Sequence, residues 1–409
     1  MIVVQKFGGT SVADPERIRE VADHAVRTKR RGTDVVLVVS AMGKETDELL
    51  RLADDVSSSQ PGREMDMLIT AGERKAMALV AMAISDLGER AQSFTGSQAG
   101  FITDTNHKDA KILELRPERI TQALRDGVIP VIGGSQGVST DRDVTFLGRG
   151  GSDTTAVAIA HALGARYCEL YTDVSGVYSA DPRIVSKARR MPEISSDELL
   201  EMTASGCPKP AMRSVEFARR HGVTLHVRSA FTWEPGTIVT LPNDRTENPD
   251  MEQAVVNAVT HDTSEAKVTV SGVSDQPGVA AQMFTALADA GVNVDMIVQN
   301  VSEHGRTDIS FTCPHPDAER ATELINSLSG SVGNAGVGFD HDIGRVSVVG
   351  AGMKSNPGVA AKMFQVLADN DINIEMISTS AIRISCVIQQ SQVERAVEVL
   401  HTAFGLDAT

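Results

Sequence analysis

Two kinds of hydrophobic pattern alternate along the first 235 residues. Residues 35–39 form an unbroken apolar run of mostly β-branched side chains, which predicts a strand buried on both faces. Apolar residues with helical spacing precede it at Ile18, Val21, Ala22, Ala25 and Val26. That spacing predicts an amphipathic helix. Alternation of such strands and helices predicts an α/β domain with a largely parallel sheet.

Other predicted strands end in clusters of small and polar residues. The runs at 2–6, 129–132 and 168–172 predict strands, and the Ala-rich run 154–163 predicts a helix with Gly164 as its C-cap. In a parallel sheet, ligands bind outside the carboxyl ends of the strands. The glycine-rich turns of this chain fall at those ends.

The pattern changes near Trp233–Asp250, where Pro-Gly and Asn-Pro pairs predict turns and a linker. An internal repeat follows, because the Pro-Gly-Val-Ala-Ala segment 277–281 and the helix after it recur 80 residues later. Each copy predicts strand, Pro-Gly turn, helix and strand, and two copies are too few for a solenoid. We therefore predict domains at 1–235, 261–335 and 336–409, with a linker at 236–260.

Composition narrows the class of protein. The formal net charge of −15 argues against a nucleic-acid partner, whose phosphates would be repelled. No apolar run reaches the roughly 18 residues of a membrane helix, and Gln5 and Lys6 come too early for a secretory signal. The four scattered cysteines predict reduced thiols and neither a disulfide framework nor a zinc site. We expect a cytoplasmic protein.

The first candidate for chemistry is the segment 2–12. A short apolar run ends on Lys6, and two glycines and two hydroxyl residues follow before a helical pattern begins at about Pro15. A cation beside a glycine turn and a helix N-terminus can bind a phosphoryl group, because close backbone N–H groups and the helix dipole favour anions. The same pattern is also typical of an ordinary turn.

The segment 146–155 is a stronger signal. Gly148-Arg149-Gly150-Gly151-Ser152-Asp153 offers backbone donors, a guanidinium and a carboxylate at a predicted helix start. Arginine is the preferred fork for a carboxylate. Asp153 is expected to position a lysine, a metal or a substrate, or simply to cap the helix.

Three weaker clusters complete the set. Ser40–Gly43 and Thr46 follow a predicted strand and suit a small polar ligand, and Glu73 lies at a predicted turn into a helix. The loop from Thr172 to Arg183 follows another strand and is typical of a nucleotide-facing loop, with Tyr178 against a base and Arg183 near phosphates. Each cluster alone is also typical of a turn or a helix cap.

Known phosphate motifs are missing from the sequence. It has no G-x-x-x-x-G-K-[ST] loop, and no His-Arg-Asp or Asp-Phe-Gly motif of a protein kinase. The clusters from Lys6 to Arg183 instead resemble aspartate kinase in their order and spacing, and the C-terminal repeat resembles the paired ACT domains of that family. The resemblance implies an amino-acid-kinase fold, with a mainly parallel sheet between helices, followed by two ferredoxin-like α+β ACT domains.

The resemblance also implies an activity. Family members transfer the γ-phosphoryl group of ATP, with Mg²⁺, to the β-carboxylate of L-aspartate, the first step toward lysine, threonine and methionine. Lys6 and Asp153 would be catalytic, with Lys6 bridging the phosphates. The implied substrate contacts, with Glu73 at the α-ammonium and Arg149 at the α-carboxylate, are Ser40, Thr46, Glu73, Arg149, Gly150, Gly151 and Ser152. The implied ATP contacts are Lys6, Gly8, Gly9, Ser11, Thr172, Asp173, Tyr178, Arg183 and Lys209.

Paired ACT domains in this family bind the end products lysine and threonine. By resemblance, the effector residues would be Asp275, Gln276, Pro277, Gly278, Val279, Ala280, Asn293, Gln299, Thr307, Asn373 and Ile374. The resemblance further implies a homo-oligomer formed through the ACT domains. Some relatives make a second, ACT-only subunit from an internal start, for which Met251 is a candidate.

Three departures from the family pattern keep alternatives open. Pro208 stands where a phosphate-contacting lysine is usual and Lys209 comes one residue late, Ser135 replaces an aromatic residue, and Ser175 stands where an acidic residue or proline is common. The alternatives are a paralogue with altered substrate or feedback, and a weakly active amino-acid-binding regulator. Intact Lys6, Arg149 and Asp153 favour the enzyme.

Overall fold

The computed structural model describes residues 1–241, 256–300, 304–351, 353, 356 and 358–407. These residues form two compact units. The first contains 1–177, 190–204 and 208–241, and the second contains 178–189, 205–207 and the described residues from 256 onward. No helix in the described ranges is both long and apolar enough to cross a membrane. Met251, the candidate internal start, lies outside the described residues.

An eight-stranded sheet organises the first unit. Along the chain its strands and those of a smaller sheet are β1 Ile2–Phe7, β2 Asp34–Val39, β3 Ala91–Phe94, β4 Phe101–Thr103, β5 Ile112–Leu115, β6 Ile129–Gly133, β7 Gln136–Ser139, β8 Val144–Phe146, β9 Tyr167–Thr172, β10 Glu193–Ser195, β11 Leu225–Ser229 and β12 Thr237–Thr240. The large sheet has the order β10-β12-β11-β9-β1-β2-β6-β3, and the small one β5-β4-β7-β8. In the large sheet β12 is antiparallel to β11, and the other pairings are parallel.

Helices accompany the sheet as the hydrophobic pattern predicts. They are α1 Pro15–Arg30, α2 Glu45–Val56, α3 Gly62–Asp86, α4 Gly96–Ala99, α5 Glu118–Arg125, α6 Gly151–Ala162, α7 Ser196–Ala204 and α8 Met212–His221, with a 3₁₀ turn at Gly9–Val12. Asp14 caps α1 by accepting hydrogen bonds from the N–H groups of Glu16 and Arg17. The apolar stripe of α1 is buried with β1, β2 and α3 in one core, because helical spacing puts those side chains on one face.

The segment 71–74 corrects one expectation. The sequence predicts a turn into a helix there, but these residues lie in the middle of the 25-residue helix α3. Gly72 is retained inside the helix because a Cβ at this position would lie 2.8 Å from the Cβ of Ala41. The glycine therefore allows a close approach between α3 and the turn after β2, and does not end the helix.

The second unit contains two four-stranded sheets with helices. Its elements are β13 Ala258–Asp262, β14 Glu265–Ser274, α9 Val279–Asp289, β15 Ile297–Gln299, β16 Arg306–Pro314, α10 Ala318–Ser327, α11 Ser329–Val332, β17 Gly336–Asp340, β18 Ile343–Val349, α12 Val359–Asp369, β19 Met376–Thr379, β20 Arg383–Gln389 and α13 Val393–Ala403. The sheet orders are β15-β16-β14-β17 and β13-β18-β20-β19. The first repeat thus contains the predicted strand, turn, helix and strand, and the second contains the predicted strands and helix, while Pro357 of its predicted turn lies outside the described residues.

The strand pairings give domain boundaries that differ from those that the sequence predicts. The expected linker 236–260 contains β12, which pairs in the sheet of the first unit, and most of β13, which pairs with β18 of the second repeat. The strand β17 follows the expected boundary at 335 but pairs with β14 of the first repeat. Local turn signals do not predict the β13–β18 and β14–β17 pairings, because each joins strands that are distant in sequence, whereas β12 pairs with its neighbour β11.

Candidate active site

The carboxyl ends of four neighbouring strands meet at one edge of the large sheet. Phe7 of β1 is in register with Val39 of β2 and Tyr171 of β9, and Val39 is in register with Gly133 of β6. The turns that follow these strands therefore lie side by side. They carry the predicted residues Gly8, Gly9, Ser11, Ser40 and Asp173, and Thr172 is the last residue of β9.

A buried ion pair lies at this edge. Lys6 Nζ is 2.6 Å from Asp153 Oδ1, and the two side chains are 8% and 7% exposed. The N–H of Ala211 donates to the other carboxylate oxygen at 3.1 Å. Burial raises the pKa of Asp153, but Lys6, the Ala211 N–H and the charge of Lys209 outweigh burial, so its pKa lies below the ordinary value. Asp153 is therefore ionised and holds the ammonium of Lys6 in place.

The glycine turn after β1 is packed against the turn after β2. A Cβ on Gly9 would lie 2.9 Å from the carbonyl oxygens of Ala41 and Gly43, and Gly43 N–H donates to Gly9 O at 3.0 Å. Gly8 lies beside the lysine, since its Cβ would be 3.5 Å from Lys6 Nζ. The Gly8 N–H donates to Tyr171 O at 3.4 Å, so a phosphate contact from Gly8 would replace that weak bond.

Glu73 is a buried carboxylate with an unusual pKa. Its Oε2 has no hydrogen-bond partner among the described residues, and the residue is 3% exposed. Burial raises its pKa to about 7, hydrogen bonds from backbone N–H groups including Ala41 offset part of that effect, and Glu45 raises the pKa further. A buried carboxylate of this kind is suited to accept a ligand ammonium group.

Gln136 and Glu73 flank the same glycine. A Cβ on Gly133 would lie 2.7 Å from Gln136 Nε2 and 3.4 Å from Glu73 Cβ. Gln136 is 1% exposed, and its Nε2 also lacks a partner within the described part of the chain. The site thus places an unpaired amide donor and an unpaired carboxylate acceptor around Gly133. That combination suits a ligand that carries both an anion and an ammonium group.

Ser135 and Ser152 form a hydroxyl pair in the same region. Their Oγ atoms are 2.9 Å apart, and both residues are buried. Ser135 has a φ of +59°, a left-handed conformation uncommon for a residue with a side chain. Its N–H donates to Thr155 Oγ1 at 3.1 Å, which helps to stabilise that conformation. Ser152, a predicted substrate contact, is therefore hydrogen-bonded to Ser135, the residue that stands where the family pattern has an aromatic residue.

Arg149 lies on the surface of the loop before α6. Its side chain is 90% exposed, and its Nη2 is 3.6 Å from Asp47 Oδ1, next to the predicted contact Thr46 on α2. Gly150 has a φ of +75°, and a Cβ there would lie 2.4 Å from Ala211 Cβ. Gly151 N–H donates to Gly148 O at 3.1 Å, so this predicted donor is already used within the turn.

The predicted nucleotide contacts fall in both units. Thr172 Oγ1 accepts from Val174 N–H at 3.0 Å and lies 3.3 Å from Asp173 Oδ1 in the first unit. Tyr178 and Arg183 belong to the second unit. There the Arg183 guanidinium makes a bidentate ion pair with Asp181, and Arg183 Nη2 lies 2.6 Å from Asp181 Oδ2. This ion pair holds the pKa of Asp181 below its ordinary value.

The predicted effector residues cluster mainly in the first repeat. Asp275 to Gly278 form the turn before α9, Val279 and Ala280 begin that helix, and Thr307 pairs with Val273 at the same end of the sheet. Gln299 ends β15 and Asn293 precedes that strand. Asn373 and Ile374 lie in the second repeat, before β19. The next residue, Glu375, contacts Lys267 of the first repeat.

No group of three or more His, Cys, Asp or Glu side chains in the described residues could hold a metal ion. The carboxylate of Asp153 is already bonded to Lys6 and Ala211. These donors do not form a complete protein cage. A magnesium ion at this site would therefore keep bound water and be held mainly by substrate phosphates.

Comparison with known proteins assigns the family. The amino acid kinase family model matches residues 1–229, and the ACT domain model matches 268–327 and 346–404. An aspartokinase of Mycolicibacterium smegmatis is 55% identical over 408 residues, which are 99% of this chain and 96% of the relative. The chain belongs to the aspartokinase family. The kinase domain and the two ACT domains predicted from the resemblance are thereby confirmed.

Solved aspartokinase structures are also similar. The aspartate kinase of Synechocystis is 41% identical with a TM-score of 0.56, over 100% of this chain and 70% of that one. Escherichia coli aspartokinase III in complex with lysine and aspartate has a TM-score of 0.74 at 25% identity, over 98% of this chain and 99% of that one. This chain is therefore an amino-acid-kinase enzyme with an ACT pair, as the family assignment requires.

Two residues of the site, Glu45 and Gln136, are not predicted from the sequence. Glu45 raises the pKa of Glu73, and its Oε2 has no partner among the described residues. Gln136 directly follows Ser135, one of the departures from the family pattern, and no motif in the sequence marks it as a ligand contact. Glu45 begins α2 and directly precedes Thr46, a predicted substrate contact. That adjacency is the only indication in the sequence that Glu45 belongs to the site. Glu45 Oε1 pairs with Lys75 of α3, and Gln136 lies with Glu73 of the same helix around Gly133, contacts that the local sequence does not indicate.

Proposed function

We propose that this chain transfers the γ-phosphoryl group of ATP to the β-carboxylate of L-aspartate, giving 4-phospho-L-aspartate and ADP. The observation that supports this most directly is the buried Lys6–Asp153 pair beside the glycine turn at the edge of the sheet. Phosphoryl transfer requires in-line positioning and charge neutralisation more than covalent catalysis. A lysine already held by a carboxylate provides a fixed cation without reorganisation during the reaction.

In this proposal the two ends of aspartate contact different elements. Arg149, which is 90% exposed, binds the α-carboxylate through its guanidinium fork. Glu73, buried and without a partner at Oε2, accepts from the α-ammonium. The β-carboxylate is then directed toward Lys6 and the γ-phosphoryl group. Ser40, Thr46 and the Ser135–Ser152 hydroxyl pair limit the size and polarity of the pocket.

On the nucleotide side, Lys6 contacts the β- and γ-phosphates, and Thr172, Tyr178 and Arg183 contact the remainder of ATP. Lys209 influences the electrostatics of Asp153, which supports its sharing the phosphate charge although it comes one residue late in the pattern. Mg²⁺ bound to the phosphates would further neutralise their charge. Asp153 would orient Lys6, or a water bound to that ion.

The ACT domains supply feedback regulation in this proposal. Lysine, threonine or both bind near the turn 275–280 of the first repeat, where Thr307 lies on the adjacent strand. The related Escherichia coli enzyme was solved with lysine and aspartate. An effector shifts activity only if it binds the two enzyme states unequally. A homo-oligomer through the ACT domains, with or without an ACT-only subunit, stays a prediction.

The test is ATP-dependent formation of an acyl phosphate, trapped with hydroxylamine across a panel of amino acids. We expect aspartate to give the hydroxamate with stoichiometric ADP, and glutamate and asparagine to give little. A strong product with another amino acid would support the paralogue with altered substrate. Binding of amino acids without any ADP formation would support the regulator and overturn the kinase proposal.

A further inference from the structure

The C-terminal helix of the second unit is hydrogen-bonded to a segment from the first half of the chain. Ser179 Oγ lies 2.8 Å from His401 Nε2, and His401 Nδ1 lies 3.0 Å from Asp407 Oδ1. Ser179 and His401 are both fully buried. The chain leaves the first unit after Val177 and returns to it at Arg190, so Ser179 belongs to an excursion into the second unit.

The donor and acceptor roles of Ser179, His401 and Asp407 can be assigned consistently. Asp407 only accepts, so His401 Nδ1–H donates to it, and the neutral ring then accepts from the Ser179 hydroxyl at Nε2. Ser179 Oγ in turn accepts from the N–H of Arg189 at 3.0 Å. Burial lowers the pKa of His401, although Asp407 partly opposes that effect. When His401 is neutral, both of its ring nitrogens and the Ser179 hydroxyl therefore have hydrogen-bond partners.

A catalytic role for this arrangement does not fit its burial. The order Ser–His–Asp is that of a hydrolase triad, but Ser179 is fully buried and cannot meet a substrate. Its effect must be exerted through its neighbours. Tyr178 directly precedes it, and Asp181, two residues on, forks with Arg183.

The excursion is fixed by packing as well as by the serine. The N–H of Val259 donates to Ser179 O at 2.7 Å. Ala180 and Val185 are buried in the core of the second repeat with Leu400. The backbone on either side of Tyr178 and Arg183 is thus positioned by the second repeat.

The ACT fold does not by itself require a histidine at this point. When Glu394-Arg395-Ala396 is aligned with Glu319-Arg320-Ala321 of the first repeat, His401 corresponds to Asn326. Asn326 is exposed, whereas His401 is fully buried. The histidine is therefore specific to the copy that holds the excursion.

We propose that Ser179, His401 and Asp407 form a positioning relay, through which the C-terminal helix of the second ACT domain sets the placement of Tyr178 and Arg183 and hence the affinity for ATP. The inference rests on the proposed nucleotide contacts of those two residues. His401 and Asp407 are positioning residues, since neither contacts a reactant.

The first test is Ser179→Ala in the full-length protein. The change leaves His401 Nε2 and Arg189 N–H without their buried partner. The loss of a buried hydrogen-bond partner typically changes an equilibrium constant about tenfold. We expect the KM for ATP to rise about tenfold, while the KM for aspartate and kcat change less than about twofold. The matched control is Ser186→Ala, an exposed serine of the same segment, which should leave all three constants unchanged.

A second pair of variants distinguishes loss of the hydrogen bond from misfolding. Asp407→Ala removes the acceptor for His401 and should raise the KM for ATP, whereas Asp407→Asn keeps an acceptor oxygen and should restore most of the affinity. Hydrogen–deuterium exchange of 178–189 should be faster in the Ser179→Ala and Asp407→Ala variants, with exchange of α6 unchanged. Faster exchange with unchanged ATP affinity, or no change in exchange, would overturn the proposal.

Equilibrium binding of ATP separates this inference from the proposed reaction. If the protein forms no 4-phospho-aspartate, the proposed function fails, but the dissociation constant for ATP can still be compared between wild type and Ser179→Ala. A tenfold weaker ATP complex would then still support the relay. An unchanged dissociation constant in both Ser179→Ala and Asp407→Ala would overturn it.

Discussion

The Lys6 ammonium and the Asp153 carboxylate lie 2.6 Å apart in a position from which water is largely excluded. Burial of the carboxylate is costly, yet its pKa stays below the ordinary value because Lys6, the Ala211 N–H and Lys209 stabilise the charged form. Each charge thus depends on the other. Activity and stability are coupled at this pair and can be separated by mutation.

Substitution of Lys6 by Met should affect both properties. ADP formation should fall by at least ~10²-fold, because a preorganised charge donor to the phosphoryl group is lost. Asp153 would remain buried without its partner, which typically costs about 3–5 kcal/mol of stability. Turnover with ATP and aspartate, together with urea unfolding, measures the two effects.

The double variant Lys6→Met with Asp153→Asn is the control for that prediction. It removes both charges, so most of the lost stability should return, while turnover stays at the level of the single variant. Recovery of turnover in the double variant would contradict a direct role for the lysine. So would a Lys6→Met enzyme that retains more than a tenth of wild-type ADP formation.

Arg149 should behave in the opposite way, because its side chain is 90% exposed. Exposed ion pairs contribute little to stability, so Arg149→Lys should change the free energy of unfolding by less than about 0.5 kcal/mol. Loss of the fork should raise the KM for aspartate by roughly tenfold or more. Asp47→Asn, which removes the present partner of Arg149, should not raise that KM. An unchanged KM in Arg149→Lys would exclude the α-carboxylate contact.

The close packing of Gly9 predicts a different kind of loss. An added Cβ would lie 2.9 Å from two backbone carbonyl oxygens, those of Ala41 and Gly43, so Gly9→Ala must displace one turn relative to the other. We expect kcat to fall by about tenfold or more and stability to fall by about 1–3 kcal/mol. Gly330→Ala, where a Cβ meets no atom within 4 Å, is the matched control. Equal effects at both positions would argue against a role for this packing.

Much of the fold was accessible from local pattern. The apolar run 35–39 corresponds to β2, the helical spacing of Ile18 to Val26 to α1, and the glycine after the Ala-rich run to a left-handed residue just beyond α6. These elements follow from periodicity and turn chemistry within a few residues. The order of motifs also located the kinase domain and the ACT pair.

The remainder depends on contacts between distant segments. The excursion at 178–189 packs in the core with Leu400, more than 200 residues away, and nothing in its own sequence indicates that partner. The sequence predicts a turn at Gly72, whereas the residue that explains this glycine, Ala41, is 31 positions away in the turn after β2. The pKa of Glu73 likewise arises from burial and from Glu45, which local sequence does not reveal.

Glu73 should make the protein less stable at alkaline pH. Burial raises its folded-state pKa from 4.5 to about 7, so the unfolded chain loses this proton more readily than the folded chain. Below about pH 4.5 both states are protonated and there is no effect. As pH rises from there toward 7, the folded state loses stability relative to the unfolded state, by roughly 3 kcal/mol in all.

Glu73→Gln should therefore stabilise the protein and impair it at the same time. Its gain in unfolding free energy over wild type should be about 2–3 kcal/mol larger at pH 8 than at pH 4.5, as urea titrations would show. The wild-type KM for aspartate should fall as pH rises from 6 to 8, because only the ionised carboxylate binds the ammonium well, and the variant should lose this dependence and have a raised KM. Glu64→Gln, on an exposed position of the same helix, should alter neither property. A Glu73→Gln enzyme with the wild-type KM for aspartate at pH 8 would refute the ammonium contact.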